Sequence, residues 1–241
     1  MRTETRHQLK QDRFSQATID VAERTAHWTA DHRSRVIVGA IVLVLGVSLG
    51  LAGRYFIGER ADKASVALTA AVRTMETPVR PPNMPADPES PSFASAQERN
   101  TAARKQFQDI IDHYPFTKAA DFSHYFIGLS SAQVGDNASA EQELQKVASY
   151  RNSELSSLAK LGLASVYRST NRSKQAIDIY KQLIAKPTTT VSKTTAQMEL
   201  AATYQAANQP LEAKRTYQEI AKENASTEIA QMAQQKLQEL K

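Results

Sequence analysis

The sequence contains no cysteine. This absence excludes disulfide bonds, thiolate metal sites, a cysteine nucleophile and a lipid-modified cysteine anchor. Only eight glycines are present, and none forms a phosphate-binding loop. There is no serine nucleophile motif, and no two of the five histidines have the spacing of metal ligands on a predicted helix. The sequence therefore predicts a protein that is not an enzyme, with no cofactor, no bound metal and no small-molecule substrate.

One acidic cluster and the overall charge also bear on ligands. Asp109, Asp112 and His113 come close together near a predicted helix end. A solvated helix terminus explains such a cluster better than a metal site does, because charge is common at helix ends. The formal net charge is +5, but basic and acidic residues are interspersed along the chain. This pattern predicts no nucleic-acid partner.

The longest apolar run is the strongest feature of the sequence. No charged residue lies between Val36 and Gly53, and Tyr55 and Phe56 follow Arg54. About 20 helical residues span a bilayer core, and aromatic residues are typical of its interfaces. Residues 36–57 are therefore predicted to be a transmembrane helix. A cleavable signal peptide is the alternative, but the thirty-five residues ahead of the run are too many for its charged region.

Small residues recur within this run. Gly46, Gly50 and Gly53 fall on nearly the same side of a helix. A pair of small residues four apart allows two membrane helices to approach closely, so these glycines are a candidate helix–helix contact. The alternative is composition alone, because glycine is frequent in membrane helices.

The composition divides the rest of the chain. Residues 1–35 are predicted to be a polar N-terminal tail, and residues 58–76 a helix that continues from the membrane. Residues 77–92 hold six of the nine prolines and are predicted to be a linker or an insert. Residues 93–241 consist of helix-forming segments between short breaks. The first of these segments lacks a partner in sequence, and residues 59–76 could fold back to supply one.

A helical pattern repeats along residues 93–241. A small residue is followed by a large one four positions later and an aliphatic one after three more, and the small residues recur every 36 or 37 positions. Such spacing places each set on one helical face, and a fixed long period indicates stacked helical hairpins. The four sets are Ala103, Phe107, Ile110; Ala140, Leu144, Val147; Ala176, Tyr180, Leu183; and Ala213, Tyr217, Ile220.

A second pattern precedes the last three sets. An aliphatic–small pair is followed three residues later by serine or tyrosine, as in Ile127–Gly128–Ser131, Leu163–Ala164–Tyr167 and Leu200–Ala201–Tyr204. Together the two patterns resemble the tetratricopeptide repeat. The resemblance implies an all-α solenoid with full repeats at about 121–156, 157–193 and 194–226. Residues 227–240 are predicted to be a capping helix whose apolar face holds Ile229, Met232, Ala233 and Leu237.

In repeats of this kind, the first helix of each pair lines the concave side. This implies a groove for an extended or helical peptide of another protein. Counted from the repeat frame, its candidate residues are Phe122, Tyr125, Leu129, Leu161, Arg168, Met198 and Gln205. The alternative is that neighbouring helices cover several of them.

One membrane helix followed by such repeats resembles the ancillary subunit family of the bacterial Sec translocon. That resemblance implies a single-pass protein of the bacterial inner membrane, with a cytoplasmic N-terminus and a periplasmic domain that contacts the translocon and chaperones. Charge leaves the orientation open, since Arg24, Arg33 and Arg35 balance Arg54, Arg60 and Lys63. The predicted function is a membrane-anchored scaffold in protein translocation, chaperoning or envelope biogenesis. The alternative is a structural or regulatory subunit of a cell-division or signalling complex.

Overall fold

The structure, a computed structural model, describes residues 33–85, 87, 89 and 91–240. The predicted tail, residues 1–35, lies outside the described residues except for its last three. Among the described residues there is no named strand, and Val79 and Phe93 form an isolated bridge. The predicted all-α class is confirmed. The helices of the described residues are α1 (Arg33–Glu76), α2 (Ala96–His113), α3 (Lys118–Gln133), α4 (Asn137–Ala148), α5 (Ser153–Ser169), α6 (Ser173–Ala185), α7 (Lys193–Ala206), α8 (Pro210–Glu223) and α9 (Glu228–Glu239).

The first compact unit ends at Glu59, and its described part belongs to α1. Large apolar side chains from Ile37 to Ile57 are exposed along this part of the helix. By its length and composition, α1 can cross a membrane.

The second compact unit begins at Arg60, earlier than the domain boundary predicted at residue 93. Ala64 and Ala71, seven residues apart on one side of α1, are fully buried. They share a core cluster with Ala103, Phe107 and Ile110 of α2. Residues 60–76 thus supply the partner that α2 lacks in the sequence.

Backbone hydrogen bonds join the two ends of the proline-rich segment. The amide of Phe93 donates to the carbonyl of Pro78 at 3.0 Å, and the amide of Arg80 donates to the carbonyl of Phe93 at 2.9 Å. The Arg99 guanidinium also donates to the carbonyl of Thr77. The two ends of the segment therefore meet between α1 and α2, as they would in an insert.

Three helical hairpins follow: α3 with α4, α5 with α6, and α7 with α8. Each helix packs against the next, and the first helices are neighbours as well, α3 against α5 and α5 against α7. The hairpins begin at Lys118, Ser153 and Lys193, close to the predicted repeat starts at residues 121, 157 and 194.

The turns inside the three hairpins share one backbone geometry. Gly135, Asn171 and Asn208 have φ of 81°, 59° and 54°. Each of these residues is part of a Schellman motif. Its own amide donates to the carbonyl three residues earlier, and the amide of the following residue donates to the carbonyl five residues before that following residue. Glycine and asparagine enter this left-handed conformation more readily than other residues. The repeat is thus visible in the backbone at steps of 36 and 37 residues.

The starts of most helices follow from local chemistry. A side-chain oxygen of the residue before the helix accepts a hydrogen bond from an amide of its first turn, which satisfies a donor that the helix leaves free. The residues that cap in this way are Ser95, Thr117, Asp136, Asn152, Ser192 and Thr227.

The repeat positions form the core. All twelve residues of the four sets are at most 2% exposed. Burial raises the pKa of Tyr180 to about 12. A Cβ atom at Gly128 would lie 2.7 Å from Cγ of Leu144, so this close crossing of α3 and α4 requires glycine. The small–large–aliphatic pattern is therefore a packing pattern.

The last helix differs in detail from the prediction. In α9, Ala230 and Ala233 are buried and Leu237 is partly buried. Ile229 and Met232 are 40% and 51% exposed, so their predicted place on the packed face is wrong. Ala230 and Ala233 allow α9 to lie close to α8. Ile229 and Met232 lie beside this contact and remain exposed.

Candidate partner-binding face

The predicted groove residues all lie on the first helices of the three hairpins, a set we call the first-helix face. Phe122, Tyr125 and Leu129 lie on α3, Leu161 and Arg168 on α5, and Met198 and Gln205 on α7. Within each helix the spacings of three, four or seven residues place these side chains on one side. The contacts of α3 with α5 and of α5 with α7 make the three rows neighbours.

The apolar members of this face are half-buried. Phe122, Tyr125, Leu129, Leu161 and Met198 pack against the core cluster and keep part of their surface accessible. Burial raises the pKa of the Tyr125 hydroxyl above its ordinary value. Neighbouring helices therefore cover these residues in part, so what remains is a shallow apolar strip.

The polar members have different surroundings. Arg168 donates to Glu199 at 2.6 Å and so joins α5 to α7 across the face. Gln205 is exposed at the end of α7. An apolar strip that ends in a charge pair and an amide can pack apolar side chains of a peptide and hydrogen-bond its backbone.

A second polar group joins α4, α5 and the turn that precedes α6. Arg172 pairs with Glu141 at 2.7 Å and lies 4.4 Å from the centre of the Tyr167 ring. The Tyr167 hydroxyl donates to Glu141 at 3.0 Å and accepts from Gln145 at 2.9 Å. Such networks fix the angle between helices, and this one stiffens the support of the first-helix face.

A histidine links α3 to α4. His124 Nδ1 lies 2.7 Å from Glu143 Oε2, and Lys146 Nζ lies 2.9 Å from His124 Nε2. Because lysine only donates, Nε2 is the acceptor and Nδ1 carries the proton that bonds Glu143. This hydrogen bond lowers the pKa of Glu143, while burial raises the pKa of nearby Asp121. The group braces the first repeat.

The acidic cluster considered in the sequence lies at the end of α2. His113 Nδ1 bonds the backbone carbonyl of Asp109 at 2.8 Å, and Asp112 accepts from Gln108. Within the described residues, no group of three histidine or carboxylate side chains could hold a metal ion.

A carboxylate that no sequence pattern singles out holds the loop before α7. Glu154, in the first turn of α5, accepts from the amide of Thr190 at 2.9 Å, from the Thr190 hydroxyl at 2.9 Å and from the amide of Thr189 at 3.4 Å. The loop borders an open cleft of about 900 Å³, lined also by Lys160 and Lys186. No sequence signal pairs residue 154 with residue 190, because the contact spans a whole hairpin.

These hydrogen bonds predict a pH effect. The Thr190 amide and then its hydroxyl hold the pKa of Glu154 below its usual value of 4.5. A depressed folded pKa gives stability above the unfolded pKa, which is lost as the pH falls through the folded value. We expect the hydrogen-exchange protection factors of Thr189 and Thr190 to drop as the pH falls below the usual value of 4.5 and through the lower folded pKa of Glu154. Glu154→Gln should abolish this dependence; equal behaviour of both proteins would show that Glu154 does not hold the loop.

The fold and its repeated hairpins define an α-helical repeat protein. A family model described as a tetratricopeptide repeat-like domain matches residues 26–180, more than half of the chain. The chain therefore belongs to the tetratricopeptide repeat-like domain family. Neither the curated proteins nor the solved structures give a match. Domains of this family are in general protein-interaction modules and not catalysts.

Proposed function

We propose that the protein is a membrane-anchored scaffold that binds other proteins through its first-helix face. One observation carries the proposal: three neighbouring first helices each present half-buried apolar side chains, part of whose surface stays accessible while the rest packs against the core. A peptide lying across these helices would cover the strip and meet the Arg168–Glu199 pair and Gln205. Isolated pockets would suit small molecules better than such an open strip does.

The anchor is residues 36–57 of α1. Large apolar side chains from Ile37 to Ile57 are exposed in the structure, and exposed apolar surface of this extent needs a nonpolar environment. The family match begins at residue 26, ahead of this stretch. At Gly46, Gly50 and Gly53, a Cβ atom would meet nothing within 4 Å. A contact through these glycines would therefore involve another membrane helix, of a partner or a second copy.

The resemblance to the ancillary subunit family of the Sec translocon supports an inner-membrane location with the repeat unit in the periplasm. Anchoring would concentrate the scaffold near membrane clients. Protease added to spheroplasts should digest residues 93–241 and spare residues 1–35. Complete protection of residues 93–241 would reverse the orientation.

Co-purification of the full chain in mild detergent tests the role. Translocon subunits and periplasmic chaperones are expected if the protein assists translocation, chaperoning or envelope biogenesis. Division or sensor proteins would favour the alternative, a structural or regulatory subunit of a cell-division or signalling complex. A purified chain that retains no protein from either group would contradict the scaffold function.

A further inference from the structure

The open cleft beside the Glu154–Thr190 contact, which we call the α5–α6 cleft, is lined by a polar group that the fold leaves unused. Ser157 is only 7% exposed, and its side chain lines the cleft. Within the described part of the chain, its hydroxyl has no hydrogen-bond partner, whereas the buried hydroxyls of Ser123 and Ser130 donate to the carbonyl four residues earlier. A nearly buried hydroxyl without a partner costs free energy, so its place in the cleft points to a bound ligand.

Two lysines lie on the wall of the same cleft. Lys160 is half-buried on α5, and Lys186 directly follows the end of α6. None of the ion pairs among the described residues includes either ammonium group. Glu154 is the one carboxylate in the described lining, and its oxygens already accept hydrogen bonds from Thr189 and Thr190. The cleft therefore has an excess of positive charge, which attracts anionic groups.

The attachment points of the two lysines are separated along the cleft. Lys186 precedes by four residues Thr190, which bonds Glu154, so Lys186 lies near the start of α5. Lys160 follows Glu154 by six residues, or about 9 Å of helix, and Ser157 lies between them. Acidic residues two or three positions apart in an extended peptide are separated by about 7–10 Å. The spacing therefore suits an elongated ligand with two anionic groups better than a single small anion.

We propose that the α5–α6 cleft binds an acidic peptide segment of a partner protein, with two acidic side chains pairing with Lys160 and Lys186 and a backbone group bonding the Ser157 hydroxyl. This rests on the proposed function, because a protein partner supplies the peptide, but no residue of the first-helix face lines the cleft. The Gln182 amide can both donate to and accept from a peptide backbone. A partner that engages both surfaces gains from the effective concentration of the second contact.

Calorimetric titration of the full chain in detergent micelles tests the proposal. The probe is the peptide acetyl-Ala-Glu-Ala-Glu-Ala-Ala-amide, whose two ends are uncharged. The control ligand is the same peptide with glutamine in place of both glutamates. The unmodified chain should bind the acidic probe with saturation and should not bind the glutamine peptide.

Matched variants locate the binding. Lys160→Gln/Lys186→Gln should weaken binding of the acidic probe by about tenfold or more, because it removes both charged partners. Lys174→Gln/Lys181→Gln removes the same charge from exposed positions of α6 outside the lining, and it should change the affinity by less than about twofold. Ser157→Ala should weaken binding by about threefold. Circular dichroism verifies that each variant is folded.

Equal weakening by the two lysine pairs would reduce the attraction to overall charge and overturn the proposal, as would failure of the unmodified chain to bind the probe. Equal affinity for inorganic phosphate would identify a general anion site and overturn the assignment to a peptide. If the probe does not bind and proteins still co-purify with the chain, the scaffold function stands and the role of the cleft is wrong. If the probe binds and no protein co-purifies, the scaffold function fails and the peptide specificity of the cleft stands.

Discussion

Ala71→Glu should destabilise the repeat unit by about 3–5 kcal/mol, because it places an unpaired charge in a closed apolar contact. Ala71 is fully buried in α1, within the cluster that contains Phe107 and Ile110. The matched control is Val66→Glu on the same helix, where Val66 is 72% exposed. That change should alter the stability by less than about 0.5 kcal/mol. Urea unfolding of residues 60–241, followed by circular dichroism, measures both.

Truncation checks the same packing independently. A fragment of residues 93–241 lacks the α1 segment and exposes Phe107 and Ile110, which are at most 2% exposed in the complete unit. This fragment should remain helical, but the urea concentration at the midpoint of its unfolding should be lower than that of residues 60–241. Equal stability of the two fragments, or equal effects of Ala71→Glu and Val66→Glu, would mean that α1 does not belong to the folded unit.

The repeated core could be predicted from the sequence because its constraint is local and periodic. Ala140, Ala176 and Ala213 recur at intervals of 36 and 37 residues and are all fully buried. Helix spacing determines the face of each residue, and stacking repeats impose the same packing on each copy. The family match confirms the repeat class that this pattern predicts.

Features that depend on contacts between repeats or on turn geometry could not be predicted in the same way. Glu154 accepts hydrogen bonds from Thr189 and Thr190, which lie 35 and 36 positions further along the chain. Ser157 reads as an ordinary helix residue until its burial and its place in the α5–α6 cleft are known. For Ile229 and Met232, apolar character indicated a packed face, but the neighbouring alanines allow the closer approach of α9.

The double variant Tyr125→Ala/Met198→Ser should weaken a partner complex by about ten- to a hundredfold. A fully buried side chain of this size contributes about 1.5–3 kcal/mol. Since both side chains are already half-buried in the free protein, a partner can cover only the remaining half of each. The two halves together correspond to about 1.5–3 kcal/mol of binding free energy, which is a ten- to hundredfold change in Kd.

The stability of the same variant must be measured, because the halves that face the core also contribute to folding. Ala164→Leu is the comparison, since Ala164 is fully buried and overpacking it should cost about 1–3 kcal/mol without replacing a residue of the first-helix face. Gln205→Ala removes an exposed amide of the face and should leave the melting temperature unchanged. Co-precipitation from membranes and thermal melts of residues 60–241 separate the two effects. If the double variant lowers the melting temperature as much as Ala164→Leu does and Gln205→Ala binds normally, these residues belong to the core and partners bind elsewhere.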